Sequence, residues 1–195
     1  SQQTGSSILG VVEGYTLAYR AAGNIQDPVE RATKAQGLLT DAMLLSRVTA
    51  LDEKTALDTL AGGLRQLNRP LEDSRDLLDK WVRPSKNAAV SIDALSESFA
   101  ITAASAKNAG IDVDQLNGYV AVLAENTSLS ASEIGNAMRA FVTGYQTPKA
   151  RKELQELGIV IENSQGEALE FNEVMRQIFQ LSEEGIISDA QLNKL

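Results

Sequence analysis

The feature that most restricts this chain is one way of starting a helix, used five times. An apolar residue precedes a Ser or Asp, and a second apolar residue follows four positions after it. The instances are Leu51-Asp52 with Ala56, Val90-Ser91 with Leu95, Ile111-Asp112 with Leu116, Leu129-Ser130 with Ile134, and Ile187-Ser188 with Leu192. The polar side chain accepts a hydrogen bond from an N–H that the first helical turn leaves unpaired, and the apolar pair clamps the entering chain, a hydrophobic staple. Three instances add Gln115, Glu133 or Gln191 three residues after the cap, completing a capping box. Each cap contributes about 1 kcal/mol to its helix. Helix starts specified this often and this locally imply an assembly of short helices. The caps at 52, 91, 112, 130 and 188 are too unevenly placed for a solenoid of fixed repeat.

Breakers divide the rest. A first helix is expected from Ser6 to Ala22, closed by Gly23 and Asn24, residues that tolerate the left-handed conformation of a helix end. Asp27-Pro28 opens a second, with Val29, Ala32, Ala35, Gln36, Leu39, Ala42, Met43 and Ser46 at helical spacing through about Val48. Leu38, Leu44 and Leu45 widen its apolar face, which predicts burial on more than one side. Helices over Asp52–Asn68 and Leu71–Val82 are expected to stop before Pro70 and Pro84. Ser91–Asn108 follows, with Leu95, Phe99, Thr102 and Ala103 inward and a small-residue end, Ile101 to Ala109, suited to close helix packing. From Ala109 to Val174 the pattern predicts three more capped helices, the last opened by Pro148. A β-hairpin near residues 159–171 turning at Gly166 comes next, then a helix from Asn172 to Glu184. No heptad persists, so a long coiled coil is excluded. The expected fold is mainly all-α: about nine or ten short helices in a compact bundle with one small hairpin. Residues 1–50 form a helical pair packing onto a core of 51–195, in one continuous domain. The chain begins at Ser1 without an initiator Met and stops at Leu195 within an expected helix, so it reads as a fragment of a longer protein.

Composition narrows the function. A 43% hydrophobic content over 195 residues suffices for a core. With only 5% aromatic residues, that core must be built mainly from Leu, Ile, Val and Ala. Eighteen basic against 26 acidic residues leave a net charge of −8, which argues against nucleic-acid binding because no basic face displaces phosphate counterions. Cysteine is absent, which excludes disulfides and thiolate metal sites. Histidine is also absent, removing the commonest general base and the commonest transition-metal ligand. No catalytic residue, cofactor site or metal site is expected. No apolar run reaches the roughly 20 residues a membrane helix needs; the nearest, Ile8 to Ala22, is broken by Glu13 and Arg20.

The candidate motifs have simpler readings. Glu97-Ser98-Phe99 invites comparison with the catalytic Glu-Ser of lytic transglycosylases, but no matching segment follows, and a solvent-facing helical Glu explains it better. Asp112-Val-Asp114 resembles the start of a calcium loop, yet Leu116 stands where a third ligand belongs. Asn126-Thr-Ser128 matches a glycosylation acceptor without other signs of secretion, and Glu183-Glu184 reads as a solvated edge.

Taken in order, the elements from Ala109 to Val174 resemble the core region of phage tail tape-measure proteins of the TP901 type. The matching pieces are Ala109-Gly110-Ile111, helices over Asp114–Ala124 and Ser130–Thr143, Thr147-Pro148, Leu157-Gly158-Ile159 and Gln165-Gly166. A looser likeness extends over roughly residues 40–180. The chain departs from the family at Asn126–Leu129, where Gly is frequent, and at Ile134-Gly-Asn136, where Ala-Gly-Thr occurs. The resemblance implies a scaffold around which tail-tube subunits polymerise and whose length sets tail length. It also implies a place in the tube lumen of the virion tail, reached from the host cytoplasm during assembly. The implied partners are tail-tube and tail-tip proteins and tail assembly chaperones, with self-association as a further contact. A helical adaptor or chaperone-like binding module is the alternative, and a peptidoglycan hydrolase a more distant one. Compact, 195 residues have a radius of gyration of about 16 Å. As one continuous helix they would span about 290 Å. The breakers favour the compact form, so the segment is expected to be a folded module whose parent carries the ruling length elsewhere.

Overall fold

A computed structural model of the chain describes residues 8–86, 90–145 and 147–186. Local capping chemistry sets where its helices begin. The Asp27 carboxylate accepts from the N–H groups of Val29 and Glu30 at 2.8 Å and opens α2 (Pro28–Val48). Asp52 accepts from Thr55 at 2.7 Å and opens α3 (Glu53–Leu67). Ser91 accepts from Ala94 at 3.0 Å and opens α5 (Ile92–Asn108). Asp112 and Ser130 cap α6 (Val113–Asn126) and α7 (Ala131–Gly144), each also donating its own N–H to the N3 side chain, Gln115 or Glu133. Thr147 caps α8 (Pro148–Glu156). The remaining helices are α1 (Ile8–Ala21), α4 (Ser74–Ser85), entered through a 3-10 turn at Leu71–Asp73, and α9 (Phe171–Glu183).

The fold is mostly helical, and the expected hairpin does not form. Only Glu162 and Ala168 make an antiparallel bridge, flanked by Asn163 N–H to Glu167 O at 2.9 Å and Leu169 N–H to Ile161 O at 2.8 Å. The next rung would pair Ile159 with Phe171, but both are already committed. The Ile159 N–H closes the end of α8 on Leu154 O at 3.0 Å, and Phe171 is the first residue of α9. On the outer edge, Gln177 of α9 captures both main-chain groups of Val160, accepting from its N–H at 2.8 Å and donating to its C=O at 2.9 Å. The segment is therefore a tight loop, with Gly166 at φ 79° in its turn, a conformation that penalises any residue with a Cβ.

Three smaller departures also have physical reasons. Helix α4 runs through Pro84 to Ser85 instead of stopping at Val82. Pro84 has no N–H for the carbonyl of Lys80, and the fully buried Asn117 of α6 supplies the missing donor, Nδ2 to Lys80 O at 2.9 Å. At the end of α1, neither Gly23 nor Asn24 is left-handed; among non-glycine described residues only Asn68, closing α3 at φ 55°, adopts that conformation. Val29 and Val48, at the two ends of the α2 apolar face, are exposed rather than buried.

One cluster of buried side chains runs from Ala18 to Ile178. Helix α1 and the turn after it bury Gly14, Ala18 and Ala22, and Gly14 meets the Leu39 side chain of α2. Trp81 of α4 and Phe99 of α5 pack edge to face, centroids 5.4 Å apart, beside Leu77 and the bare face of Gly63. Each fully buried Leu or Phe contributes about 1.5–3 kcal/mol, so these contacts dominate the association of α3, α4 and α5. Polar anchors fix their register. The buried Asp41 of α2 accepts from Ser74 Oγ at 2.6 Å and pairs with Arg75 at 2.8 Å, pinning α2 to the start of α4.

Candidate functional site

The residues singled out in the sequence sit at helix entrances. Val90 and Leu95, and Ile111 and Leu116, are buried on either side of their caps. Leu51 is half-buried beside the fully buried Ala56. At α7 the pair is uneven: Ile134 is buried, while Leu129 is 40% exposed and so adds little to the cap. Ile187, Ser188 and Leu192 lie outside the described residues. The entrances of α3 and α5 adjoin, the Ala50 N–H donating to Asp93 Oδ1 at 3.0 Å.

The 109–174 stretch makes its tightest contact through α7, at a seam with α5. Ser98 Oγ donates to Ala131 O at 2.7 Å, and four residues on along both helices Thr102 Oγ1 donates to Gly135 O at 2.9 Å. Equal steps in the same sense mean that α5 and α7 run in parallel, with α6 as the return. The helices approach so closely that a Cβ on Gly135 would lie 3.0 Å from Ser98 Cα and from Ile101. Ser98 and Thr102 are fully buried, and each hydroxyl is satisfied by the neighbouring helix backbone. The small residues at the end of α5 are legible in sequence as a packing surface; their partner helix is not.

Behind this seam the scarce aromatic residues gather. Phe171 is edge-on to Tyr119, Phe141 and Tyr145, with centroids 5.3–5.8 Å apart, and Tyr119 stacks on Phe179. The Tyr119 hydroxyl donates to Asn172 Oδ1 at 2.6 Å. Burial, and secondarily the charge of Asp112, pushes its pKa above the usual phenol value. Lys80 pairs with Asp114, and Arg151 with Glu162, tying α4 to α6 and α8 to the loop.

These groups hold helices together and present no reacting constellation. Glu97 is exposed on α5 between the buried Ser96 and Ser98, Asp112 is a cap, Asp114 is an ion-pair partner, and Asn126 Nδ2 donates back to Val122 O. Among the described residues no three His, Cys, Asp or Glu side chains are grouped to hold a metal ion, and no helix is long and apolar enough to cross a membrane.

A helical framework of capped entrances, with a polar-laced seam and a single core, is what an assembly component needs. A family model described as phage-related minor tail protein matches residues 2–194. The chain belongs to that family. No solved structure matches it. As a phage-related minor tail protein it has a structural role in the virion tail, exercised through contacts with other tail proteins. Sequence reading missed Asn117, the Asp41 anchor and Gln177. Asn117 and Asp41 carry a local signal, each a polar residue among buried positions, Val113, Leu116, Val120 and Ala121 of α6 and Leu38, Ala42 and Leu45 of α2.

Proposed function

We infer that this minor tail chain is a folded module of a tape-measure protein, a scaffold around which the tail tube assembles and which contributes to setting tail length. The observation that carries the reading is the family match over nearly the whole chain, joined to the tape-measure-like order of elements from Ala109 to Val174. Its working place would be the tube lumen, entered from the host cytoplasm during assembly, with tail-tube and tail-tip proteins and assembly chaperones as partners and self-association as a further contact. Residues 1–50 and 51–195 act as one unit in this reading. Asp41 ties α2 to the start of α4, and the Gly14–Leu39 contact holds α1 on α2.

In this reading the compact module is not itself the ruling length. Its helices fold back on one another, so scattering should return a radius of gyration near the compact value of about 16 Å. A rod several times longer would refute the folded-module reading. In-frame deletions elsewhere in the parent gene should shorten tails in proportion, read by electron microscopy; unchanged tails would remove the ruler role from the deleted part. A helical adaptor is the second reading, favoured by Val11, Val12 and Tyr15, which remain exposed along the outer side of α1.

A further inference from the structure

We propose that a crevice between the C-terminal ends of α1 and α3 is a binding notch for a glutamate side chain on an acidic segment of another tail protein. The crevice, about 350 Å³, is lined by Arg20, Arg65 and Arg69 together with Asn24 and Asn68, and no carboxylate lines it. On a chain of net charge −8 this is a local inversion of sign. Two of the three arginines are uncommitted: the guanidinium groups of Arg20 and Arg65 have no ion-pair or hydrogen-bond partner among the described residues. Arg69 is held in place, its Nε on Asp73 and its Nη2 on Asp76, each at 2.8 Å, and these partners raise its pKa against the opposing effect of burial. A fourth guanidinium, Arg31, lies over the Tyr19 ring at 4.1 Å, behind the turn at Gly23.

Arg20 and Arg65 also stand in the last turns of α1 and α3, where a cation offsets the helix dipole. That role needs one cation per helix end and does not require the two to share a crevice. Two carbonyl groups of these helix ends already accept backbone bonds, Arg20 O from the Gly23 N–H at 3.0 Å and Leu64 O from the Arg69 N–H at 2.8 Å. Ala61 and Leu71 supply apolar lining for the methylenes that carry a glutamate carboxylate, a feature a bare phosphate would not use. Planar guanidinium forks match a carboxylate in two-point contact. The source of the ligand rests on the family's place in the tail; the notch does not.

The test uses the 195-residue chain and nitrogen-detected spectra of its arginine side chains at constant ionic strength. Blocked tetraglutamate should shift the Arg20 and Arg65 signals and saturate with half-occupancy at about 1–5 mM. Tetraglutamine should not shift them. R65Q should weaken binding about tenfold, and R65K, which keeps the charge but loses the fork, about threefold. Both side chains are exposed, so R20Q/R65Q should keep the native circular dichroism spectrum and lose saturable binding. The proposal is overturned by absence of saturation with tetraglutamate, by unchanged affinity in R20Q/R65Q, or by inorganic phosphate binding as tightly as the peptide. If R20Q/R65Q alters the spectrum, R65K decides: affinity equal to that of the parent chain overturns the proposal.

Discussion

Gly135→Ala, compared with Gly118→Ala, tests whether the α5–α7 seam governs the stability of the bundle. Both glycines lie inside helices, so both replacements gain about 0.5–1 kcal/mol from reduced backbone entropy. At Gly118 a new Cβ meets nothing within 4 Å, and this gain should appear intact. At Gly135 the same atom would lie 3.0 Å from Ile101 Cβ and Cδ1 and from Ser98 Cα. Two of these atoms belong to or adjoin the α5 backbone and cannot swing aside, so the helices must separate by a few tenths of an ångström. Overpacking of this kind costs about 2–3 kcal/mol at its upper range. Separation also stretches the Ser98 and Thr102 hydroxyl bonds to Ala131 and Gly135. The net expectation is a loss of about 1–2 kcal/mol for G135A, or about 2–8 °C in Tm, against a rise of about 1–4 °C for G118A. Urea unfolding followed by Trp81 fluorescence and by circular dichroism measures both, since Trp81 is fully buried in the same core. Equal stability of the two variants would falsify the close-contact argument.

Other perturbations address the polar anchors. Asp41→Ala should destabilise by about 2–4 kcal/mol, because it strands the buried Ser74 hydroxyl and removes the Arg75 pair. Arg75→Ala should lose less than about 1 kcal/mol, its guanidinium being half exposed; a denaturant series on both variants and the double mutant separates the terms. Asn117→Ala should cost about 1–3 kcal/mol by orphaning the Lys80 carbonyl, and adding Pro84→Ala should recover much of it by restoring a helical N–H. Failure of that rescue would show that Asn117 acts through packing alone. The acid limb of stability should involve Asp52 and Glu133, whose pKa values are lowered by cap hydrogen bonds, to Asp52 from the Thr55 backbone and to Glu133 from the Ser130 side chain and backbone. A carboxylate with a depressed folded pKa adds stability above its unfolded pKa and loses it as pH falls through the folded one. Asn and Gln can cap without titrating, so D52N/E133Q should flatten the fall of Tm below the ordinary carboxylate range; an unchanged slope would assign the acid response to other groups.

The helical character of the bundle and most helix boundaries are legible in local sequence, because a cap bond closes within three residues and needs no distant partner. Asp27, Asp52, Ser91, Asp112, Ser130 and Thr147 all act that way. Membership of a tail family was legible in the order of those elements, while no single motif carried it. Tertiary structure decided what depends on groups remote in the chain. Ile159 and Val160 have the residue types of a strand, but Leu154 takes the Ile159 N–H that the next rung of a hairpin would have used, and Gln177 binds Val160 on the outer edge. Pro84 looked like a stop signal until Asn117, 33 residues later, supplied the lost donor to Lys80. The arginines of the α1–α3 crevice are scattered between positions 20 and 69 and share no periodicity. Capping is a local free-energy choice, whereas strand pairing, proline tolerance and convergence of charge depend on which backbone groups and side chains the packed helices bring together.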